Sequence, residues 1–194
     1  MIFHEDFEKK ILWQKNLPLF IGTVRPENKL QISESLKNMS AETIRNRFLG
    51  GKKEFSENEL KYFTEFDGLH HYAIGVQEDT PERKGVGIIR LVRNPRVFSE
   101  AEVAITLIDA YQHKGLGTYL FELILLAADE RDITTISLTY LPQNLAIPRL
   151  ARKFGQYKKQ NSSQDFEHIL LPIQRDVLGK ITEKLKRETE ISPF

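Results

Sequence analysis

The most constraining feature of this chain is a short glycine-containing loop between two strongly apolar segments. The loop, residues 112–118, reads QHKGLGT. Residues 102–108 before it are apolar and β-branched, which is typical of a buried strand, and apolar residues recur at helical spacing over 116–128. The pattern therefore predicts a strand, a tight loop and a central helix, in that order.

A loop in this position is suited to binding a phosphate group. The first backbone N–H groups of a helix have no partner within the helix, and the helix dipole is positive at that end. Gly115 and Gly117 lack a Cβ, so the backbone can come close to an anion there. The same two glycines are equally typical of a simple chain reversal, and the choice between the two interpretations depends on the rest of the chain.

Length and composition favour one domain with a sizeable core, because 194 residues are 40% hydrophobic. The 28 basic and 27 acidic residues leave a net charge of +1, so no charge excess indicates binding to nucleic acid or to an anionic membrane. The absence of cysteine excludes disulfides, a thiolate nucleophile and cysteine zinc sites. The five histidines show no metal-ligand spacing with carboxylates, so no metal is expected.

The sequence contains no targeting or membrane-spanning pattern. Charged residues interrupt the apolar positions of residues 1–14, which therefore lack the apolar core of a signal peptide. No run approaches the roughly 18 to 20 apolar residues that a membrane helix needs. We expect a cytoplasmic protein.

Alternation and helical spacing define an α/β order of elements. Strands are predicted at residues 17–24, 71–77, 87–92, 102–108, 133–140 and 166–171, with a further short strand near Tyr157. Helices are predicted after Pro26, after Ser40, after Ser56, over 116–128, over 145–154 and beyond Pro172. The strands on either side of the central helix should lie parallel, through a right-handed crossover.

Two local features refine this outline. Ser56 and Glu59 form a capping box at the start of a helix. Residues 1–172 are interpreted as one domain, and residues 173–194 as an amphipathic C-terminal helix that packs on it or makes a homodimer contact.

Two common phosphate-binding motifs are not matched by the loop. A nucleoside-triphosphate loop ends in Gly-Lys-Ser/Thr, whereas here Lys114 precedes Gly115. A dinucleotide fingerprint needs three glycines at fixed spacing, and only Gly115 and Gly117 are available. The loop therefore matches neither of these two motifs.

Residues 111–117, YQHKGLG, closely resemble the pyrophosphate loop of the GNAT superfamily of acyl-CoA-dependent N-acyltransferases. That loop has the pattern Gln or Arg, two residues, Gly, any residue, Gly or Ala. The resemblance extends from about residue 86 to 155, and residues 144–155 resemble the second cofactor motif of the family. Residues 101–104, AEVA, are most similar to the bacterial protein-lysine acetyltransferase branch.

The resemblance implies an α/β (α+β) fold with a mixed, splayed central sheet of about six to seven strands flanked by helices, and acetyl-CoA as cosubstrate. The pantetheine arm of the cofactor would pair with the backbone at Ile105, Thr106 and Leu107, where the sheet splays. Asn144 would contact the same arm, although an asparagine there is also typical of a helix cap. The loop residues that would hold the pyrophosphate are Gln112, His113, Lys114, Gly115, Leu116, Gly117 and Thr118.

Catalysis requires removal of a proton, because a lysine-type amine has a pKa near ~10.4 and is mostly protonated at neutral pH. Glu102 is the candidate base. In a strand it shares a face with Ala104 and Thr106, and we expect these small neighbours to bury the carboxylate and raise its pKa. Glu102 is also compatible with a solvated or ion-paired strand residue, and Glu100 is the alternative base.

The chain departs from the family pattern at two positions. Many members carry a tyrosine seven residues after the asparagine, where it protonates the departing thiolate, and that position is Ala151. Members that acetylate ribosomal N-termini often carry a glutamate at the position of Thr139. The acid is thus unassigned: coenzyme A can leave unaided, its thiol pKa being about 8.5, or Tyr157 or Tyr140 serves. A backbone N–H near Leu107 would bind the oxyanion.

The leading hypothesis is therefore direct acetyl transfer from acetyl-CoA to a primary amine, with a protein lysine as one acceptor class. Two alternatives stay open. One is a small-molecule amine acetyltransferase, and the other is a degenerate domain that binds acyl-CoA without chemistry, which the alanine at position 151 favours.

Overall fold

The fold is built on one mixed sheet of eight strands. The computed structural model describes residues 2–14, 17–160 and 165–191. The strands are β1 (Glu8–Trp13), β2 (Leu17–Thr23), β3 (His71–Glu78), β4 (Gly85–Arg93), β5 (Glu100–Leu107), β6 (Thr135–Tyr140), β7 (Lys158–Lys159) and β8 (Glu167–Pro172). Their order in the sheet is β1-β2-β3-β4-β5-β6-β8-β7.

Within the described residues, six α-helices flank the sheet: α1 (Lys29–Ser35), α2 (Ala41–Phe48), α3 (Glu57–Thr64), α4 (Leu116–Asp129), α5 (Ala146–Arg152) and α6 (Arg175–Ile191). We call the face that carries α1 to α3 the front face and the opposite face, with α4, the back face. The mixed α/β fold with a splayed sheet agrees with the expectation from the sequence.

The parallel contact between β5 and β6 is short, and it determines the shape of the sheet. All other neighbouring strands are antiparallel. Three residue pairs join β5 to β6, ending at Glu102 and Ser137, although β5 continues to Leu107 and β6 to Tyr140. Beyond Glu102 the two strands therefore diverge, and the edge of β5 that faces β6 has no strand partner there.

The central helix α4 anchors the core on the back face. Leu116, Leu120, Phe121 and Ile124 of α4 are fully buried. A helix with apolar residues on most of its sides must be buried by other elements on most of those sides. The ring of Phe154, just after α5, lies 5.0 Å from that of Phe121 and supplies part of that cover.

The C-terminal helix packs on the same body. Leu178 and Ile181 of α6 are buried in the core, and the Lys184 ammonium donates to both carboxylate oxygens of Glu122 on α4, at 2.6 and 2.9 Å. Residues 192–194, which the sequence analysis included in this helix, lie outside the described residues. No helix within the described ranges is long and apolar enough to cross a membrane.

One strand of the sheet, β1, was not predicted from the sequence. It lies at the edge of the sheet and pairs with β2 from Glu8 to Trp13. Its outward residues, among them Lys10 and Leu12, are partly polar and exposed. The segment therefore lacks the apolar alternation that marks the inner strands.

The capping box at the start of α3 is confirmed. The Glu59 carboxylate accepts hydrogen bonds from the Ser56 N–H and hydroxyl groups, each at 2.9 Å, and from the Lys52 ammonium. The hydrogen bond from Lys52 and then those from Ser56 lower the pKa of Glu59 from 4.5 to about 2.

This shift predicts a pH dependence of stability. Because the folded pKa of Glu59 lies below the unfolded value, its contribution is fully present above about pH 4.5 and is lost as the pH falls towards 2. In Glu59→Gln, this part of the pH dependence should be missing when the free energy of unfolding is measured by urea denaturation at several pH values. Glu54→Gln, at an exposed position before the helix, should keep the wild-type slope. An unaltered slope in Glu59→Gln would contradict the assignment.

Candidate active site

The divergence of β5 and β6 opens a cleft of about 630 Å³ that passes between the two strands. Helix α2 bounds it on the front face, and the loop before α4 together with α5 bounds it on the back face. Of the residues singled out in the sequence, ten line this cleft: Glu102, Ile105, Thr106, Leu107, Gln112, His113, Gly115, Gly117, Thr118 and Asn144. Lys114 and Leu116 are not among its lining residues.

Backbone groups of β5 are directed into the cleft. The N–H of Ile108 donates to the carbonyl of Val86 in β4 at 2.9 Å, so even-numbered residues of β5 pair with β4. Odd-numbered residues are therefore directed towards β6, because neighbouring residues of a strand alternate in direction. Past the last pair with β6, the N–H and C=O of Ile105 and the N–H of Leu107 face the opening.

The side chains of β5 alternate across the sheet. Those of Ile105 and Leu107 reach the back face, where a Cβ on Gly117 would lie 3.7 and 3.6 Å from their Cδ1 atoms. Glu102, Ala104 and Thr106 belong to the front face. The cleft thus has an apolar wall on the side of α4, and the candidate base is on the opposite face of the sheet.

The loop before α4 has the local geometry of an anion site. Gly115 is the N-cap of α4 and has φ of +85°, a conformation that other residues rarely adopt. His113 also has a positive φ, of 58°. The N–H groups of Leu116 and Gly117, at the first two positions of the helix, have no partner within it. The backbone at this end of the cleft therefore presents donors to an anion.

Cationic side chains surround the same end of the cleft. His113, Arg149 and Lys153 line it, and the Lys153 ammonium donates to the Thr118 hydroxyl at 3.0 Å. Arg149 and Lys153 were not predicted as site residues from the sequence. Basic residues spaced four apart on a helix more often form a solvent-exposed face. Lys114 is turned away and donates to the Ala110 carbonyl at 2.7 Å.

The side chain of Gln112 connects the end of β5 to α2. Its amide nitrogen donates to the Leu107 carbonyl at 3.0 Å and to the Thr43 hydroxyl at 2.9 Å. Gln112 was counted among the cofactor-binding residues in the sequence, and its side chain joins the end of β5 to α2. The side chain of Leu116 is completely buried in the core, so only its backbone N–H is available to a ligand, which is the group that the sequence analysis invoked.

A second contact strengthens this connection. The Asp109 carboxylate accepts from the Ser40 N–H at 2.7 Å and from the Thr43 hydroxyl at 3.1 Å. Burial by itself would raise the pKa of Asp109, but the hydrogen bonds from Ser40 and Thr43 outweigh it and hold the pKa below its usual value. The start of α2 is thus fastened to the segment that leads into the loop.

Asn144 directly precedes Leu145, which is the N-cap residue of α5. The side-chain oxygen of Asn144 accepts from the N–H of Ala146, the first residue of α5, at 3.2 Å. Asn144 also lines the cleft. This turn at the start of α5 and a contact with a ligand in the cleft are therefore compatible at this position.

Glu102 differs from the expectation in one respect. Its side chain is exposed on the front face, so the burial among small neighbours that the sequence suggested is not found. The short side chains of the strand leave the carboxylate uncovered, and α2 covers only one side of it. Glu100, the alternative base, is not among the residues that line the cleft and lies at the start of the paired part of β5, two residues farther from the opening than Glu102.

Two arginines give the front face near Glu102 a positive potential. Burial lowers the pKa of the Arg47 guanidinium, and the charge of Glu102 opposes that shift. Arg90, only 4% exposed, lies over the Phe63 ring at 4.7 Å and contacts the His71 ring. Burial and then the charge of Arg47 lower the pKa of Arg90 to about 9. The positive charges of Arg47 and Arg90 disfavour an additional positive charge beside Glu102.

The expected acids do not reach the cleft. Neither Tyr140 nor Tyr157 is among the described residues that line it, and Tyr140 is buried in the core. Ala151 is fully buried. Thr139 lines the cleft, and its hydroxyl lies 3.1 Å from Nδ1 of His168 on β8.

The comparisons with known proteins agree with this arrangement. No family model matches the chain. Among curated proteins, the acetyltransferase Pat of Mycolicibacterium smegmatis is 27% identical over 116 residues, which cover 60% of this chain and 34% of that protein. The chain thus spans about a third of the length of that curated relative.

Solved structures give a stronger match in fold. The GNAT domain of S. lividans PAT has a TM-score of 0.75 at 19% identity, covering 86% of this chain and 97% of that one. Spermidine N-acetyltransferase from Vibrio cholerae, solved with CoA and spermine, has a TM-score of 0.62 at 16% identity, covering 79% and 95%. A cAMP-binding acyltransferase from Mycobacterium smegmatis has a TM-score of 0.57 at 17% identity, covering 94% and 55%.

The chain has the fold of the GNAT acetyltransferases. It is similar to the acetyltransferase Pat among curated proteins and to the GNAT domain of S. lividans PAT among solved structures. The resemblance found in residues 111–117 is thereby confirmed at the level of the fold.

The connection between α2 and the loop can be tested by removing Asp109. Asp109→Ala leaves the Ser40 N–H and the Thr43 hydroxyl without this acceptor, so the free energy of unfolding should fall by about 1 kcal/mol, a modest value because the site is exposed. Hydrogen exchange of the first amides of α2 should accelerate. Asp79→Ala removes a surface ion pair with Lys10 and should leave α2 exchange unchanged. Equal exchange in both variants would refute the connection.

Proposed function

We propose that this chain transfers an acetyl group from acetyl-CoA to a primary amine, by direct attack within a ternary complex. The observation that carries the proposal is the opening between β5 and β6, which leaves the backbone of Ile105 and Leu107 unpaired next to an anion-binding loop. A chain-like ligand with amide groups and a phosphate end satisfies both features at once.

The donor would enter from the back face. Its pyrophosphate would accept hydrogen bonds from the N–H groups of Leu116 and Gly117, with His113, Arg149 and Lys153 supplying positive charge. Its pantetheine arm would pair with Ile105 as an additional strand, in contact with Asn144. Gln112 would act indirectly, because it positions the end of β5 instead of contacting the phosphate.

The thioester would then lie between the unpaired N–H groups of β5 and the front face. The N–H of Leu107 or Ile105 is directed to where the thioester oxygen becomes an oxyanion, and a fixed donor of this kind stabilises the tetrahedral intermediate. The carbon–sulfur bond breaks as this intermediate collapses. The coenzyme A thiolate needs no protein acid to leave, in keeping with the alanine at position 151.

Proton removal from the amine would take place on the front face. Glu102 is open to solvent there and can accept the proton directly or through one water. The guanidinium of Arg47 beside it favours the neutral form of an incoming amine, because two positive charges repel each other. The two groups together would increase the fraction of nucleophilic amine.

The acceptor class is proposed to be a protein lysine. Support comes from the exposed position of Glu102 at the front opening and from the resemblance of residues 101–104 to the bacterial protein-lysine acetyltransferase branch. A small-molecule amine is the second candidate, supported by the likeness to a spermidine N-acetyltransferase. A domain that binds acyl-CoA without turnover is the third, supported by the alanine at position 151.

The role of Glu102 predicts a specific kinetic defect. Glu102→Gln should lower kcat at pH 7 by at least tenfold, since a general base contributes about 10² to 10⁴ to a rate. The defect should shrink towards pH 10, where the amine is already neutral, and the Kd for CoA should remain unchanged. Thiol release from acetyl-CoA with amine and peptide panels measures the rate.

Glu100→Gln is the matched comparison, because this carboxylate is two residues away in the same strand and outside the cleft lining. It should retain activity within about threefold, since no acid–base role falls to it. Wild-type rates for Glu102→Gln across the pH range would refute the base assignment. Tight CoA binding without turnover for any acceptor would favour the binding module.

The donor loop predicts a binding defect. Gly115→Ala places a side chain at φ of +85°, which costs about 1 to 2 kcal/mol in the left-handed region, and the relaxing loop would move its N–H groups away from the pyrophosphate. The Kd for CoA in calorimetry should rise about tenfold. Gly179→Ala, in α6 with no atom within 4 Å of the added Cβ, should bind CoA normally. Wild-type affinity in Gly115→Ala would refute the loop assignment.

A further inference from the structure

The front face carries a second cavity that the reaction as proposed above does not use. It has a volume of about 80 Å³ and lies between α1 and strands β2 to β5. One buried water needs roughly 10 to 15 Å³ on this measure, so the cavity is larger than a packing defect. Its apolar side chains are Phe20, Val24, Ile32, Met39, Val76 and Ile88. We call this cavity the front-face trough.

The register of the sheet explains why the front-face trough exists. Gly22 pairs with Gly75, Gly75 with Ile88, and Ile88 with Thr106, so these four residues form one row across four strands. Paired residues project from the same face. The two glycines at one end of the row have no side chain, and the side chains of Phe20 and Val24 lean into part of that space, each about 3.1 Å from where a glycine Cβ would be. The row spans three interstrand steps, about 14 Å.

Thr106 joins the front-face trough to the cleft. It lines both cavities and follows Ile105, whose N–H faces the opening in the sheet. Thr106 is 6% exposed, and its hydroxyl is buried without a hydrogen-bond partner among the described residues.

The chemistry of the walls restricts what the front-face trough can hold. None of the described residues that line it carries a charge. A polyamine or another cation would lose its hydration there without compensation. A hydrocarbon chain, in contrast, would exchange water for contacts with the apolar side chains of the cavity, which has uncharged polar residues such as Asn28, Gln31 and Ser35 at its α1 side.

We infer that the front-face trough receives the acyl chain of a donor longer than acetyl-CoA. The protein would then transfer medium-length acyl groups. This inference rests on the proposed function. The thioester carbon would lie beside the N–H of Ile105, which directly precedes Thr106 in β5. Glu102 lies on the other side of that carbon along the strand, so the amine and the acyl chain leave the carbonyl in different directions.

The transfer step is the same as for acetyl. The amine nitrogen forms a bond to the acyl carbonyl carbon, and the carbon–sulfur bond breaks with its electron pair going to the coenzyme A sulfur. The amine proton passes to Glu102. The acyl chain takes no part in the bond changes, and only its burial in the front-face trough distinguishes one donor from another.

Binding of unreactive donors tests the inference without catalysis. S-alkyl-CoA thioethers with two, four, six and eight carbons, titrated by calorimetry into the full chain, should bind more tightly as the alkyl group lengthens to about six carbons. The S-hexyl compound should bind at least tenfold more tightly than the S-ethyl compound. Equal affinity for all four would overturn the inference. Absent binding of CoA itself would instead overturn the proposed function.

Filling the front-face trough should remove this preference. Ile88→Phe enlarges the middle of the row, whereas Ile88→Val leaves the cavity open. Ile88→Phe should bind S-ethyl-CoA as the wild type does and lose the tenfold gain for S-hexyl-CoA, while Ile88→Val keeps the gain. Ile32→Phe, from the α1 side, provides the same test if Ile88→Phe does not fold. Retention of the chain-length preference in a folded filled variant would overturn the inference.

An apolar arm of the acceptor is the other source of a hydrocarbon chain. Turnover of acetyl-CoA with linear alkylamines of two to eight carbons, beside turnover of acyl-CoA donors with one fixed amine, separates the two. A preference for longer donors that Ile88→Phe abolishes supports the inference. A preference for longer amines that the same variant abolishes, with no preference among donors, overturns it.

Discussion

The divergence of two parallel strands after three residue pairs is the constraint on which the rest of this structure depends. A strand edge in the middle of a sheet costs free energy, because its N–H and C=O groups lose their partners. Here that edge is formed by Ile105 and Leu107. The surrounding elements keep it open: α4 covers one face, α2 approaches the other, and Gln112 satisfies the last carbonyl.

The packing of α4 explains how the opening is maintained. Its buried residues fix the helix against β4 and β5 on the back face, so its first turn is held at the end of β5. The loop that joins them is too short to adopt many conformations, and it uses a left-handed glycine to complete the turn. Positive backbone charge and the unpaired strand edge are consequently brought to the same cleft. Neither of these two features alone would select a chain-like ligand.

Much of this arrangement could be predicted from the sequence, because it depends on local patterns. The apolar run of β5, the glycines before α4 and the Ser56–Glu59 box are each encoded within a few residues. Side-chain partners across the fold could not be predicted. The contacts of Gln112 with Thr43, and of Lys153 with Thr118, join residues 69 and 35 positions apart. The exposure of Glu102 likewise depends on how far α2 extends over β5.

The contacts of Asp109 and Gln112 with α2 have a consequence for the order of events. They make α2 and the loop before α4 parts of one hydrogen-bonded unit. In the proposed reaction, these two elements would face the acceptor and the donor. The first ligand that orders this unit bears the entropic cost of ordering it, so a second ligand would bind more tightly. Linkage requires this effect to be reciprocal. Donor and acceptor would bind cooperatively across the sheet, with the occupied loop preparing α2 for the amine before it arrives.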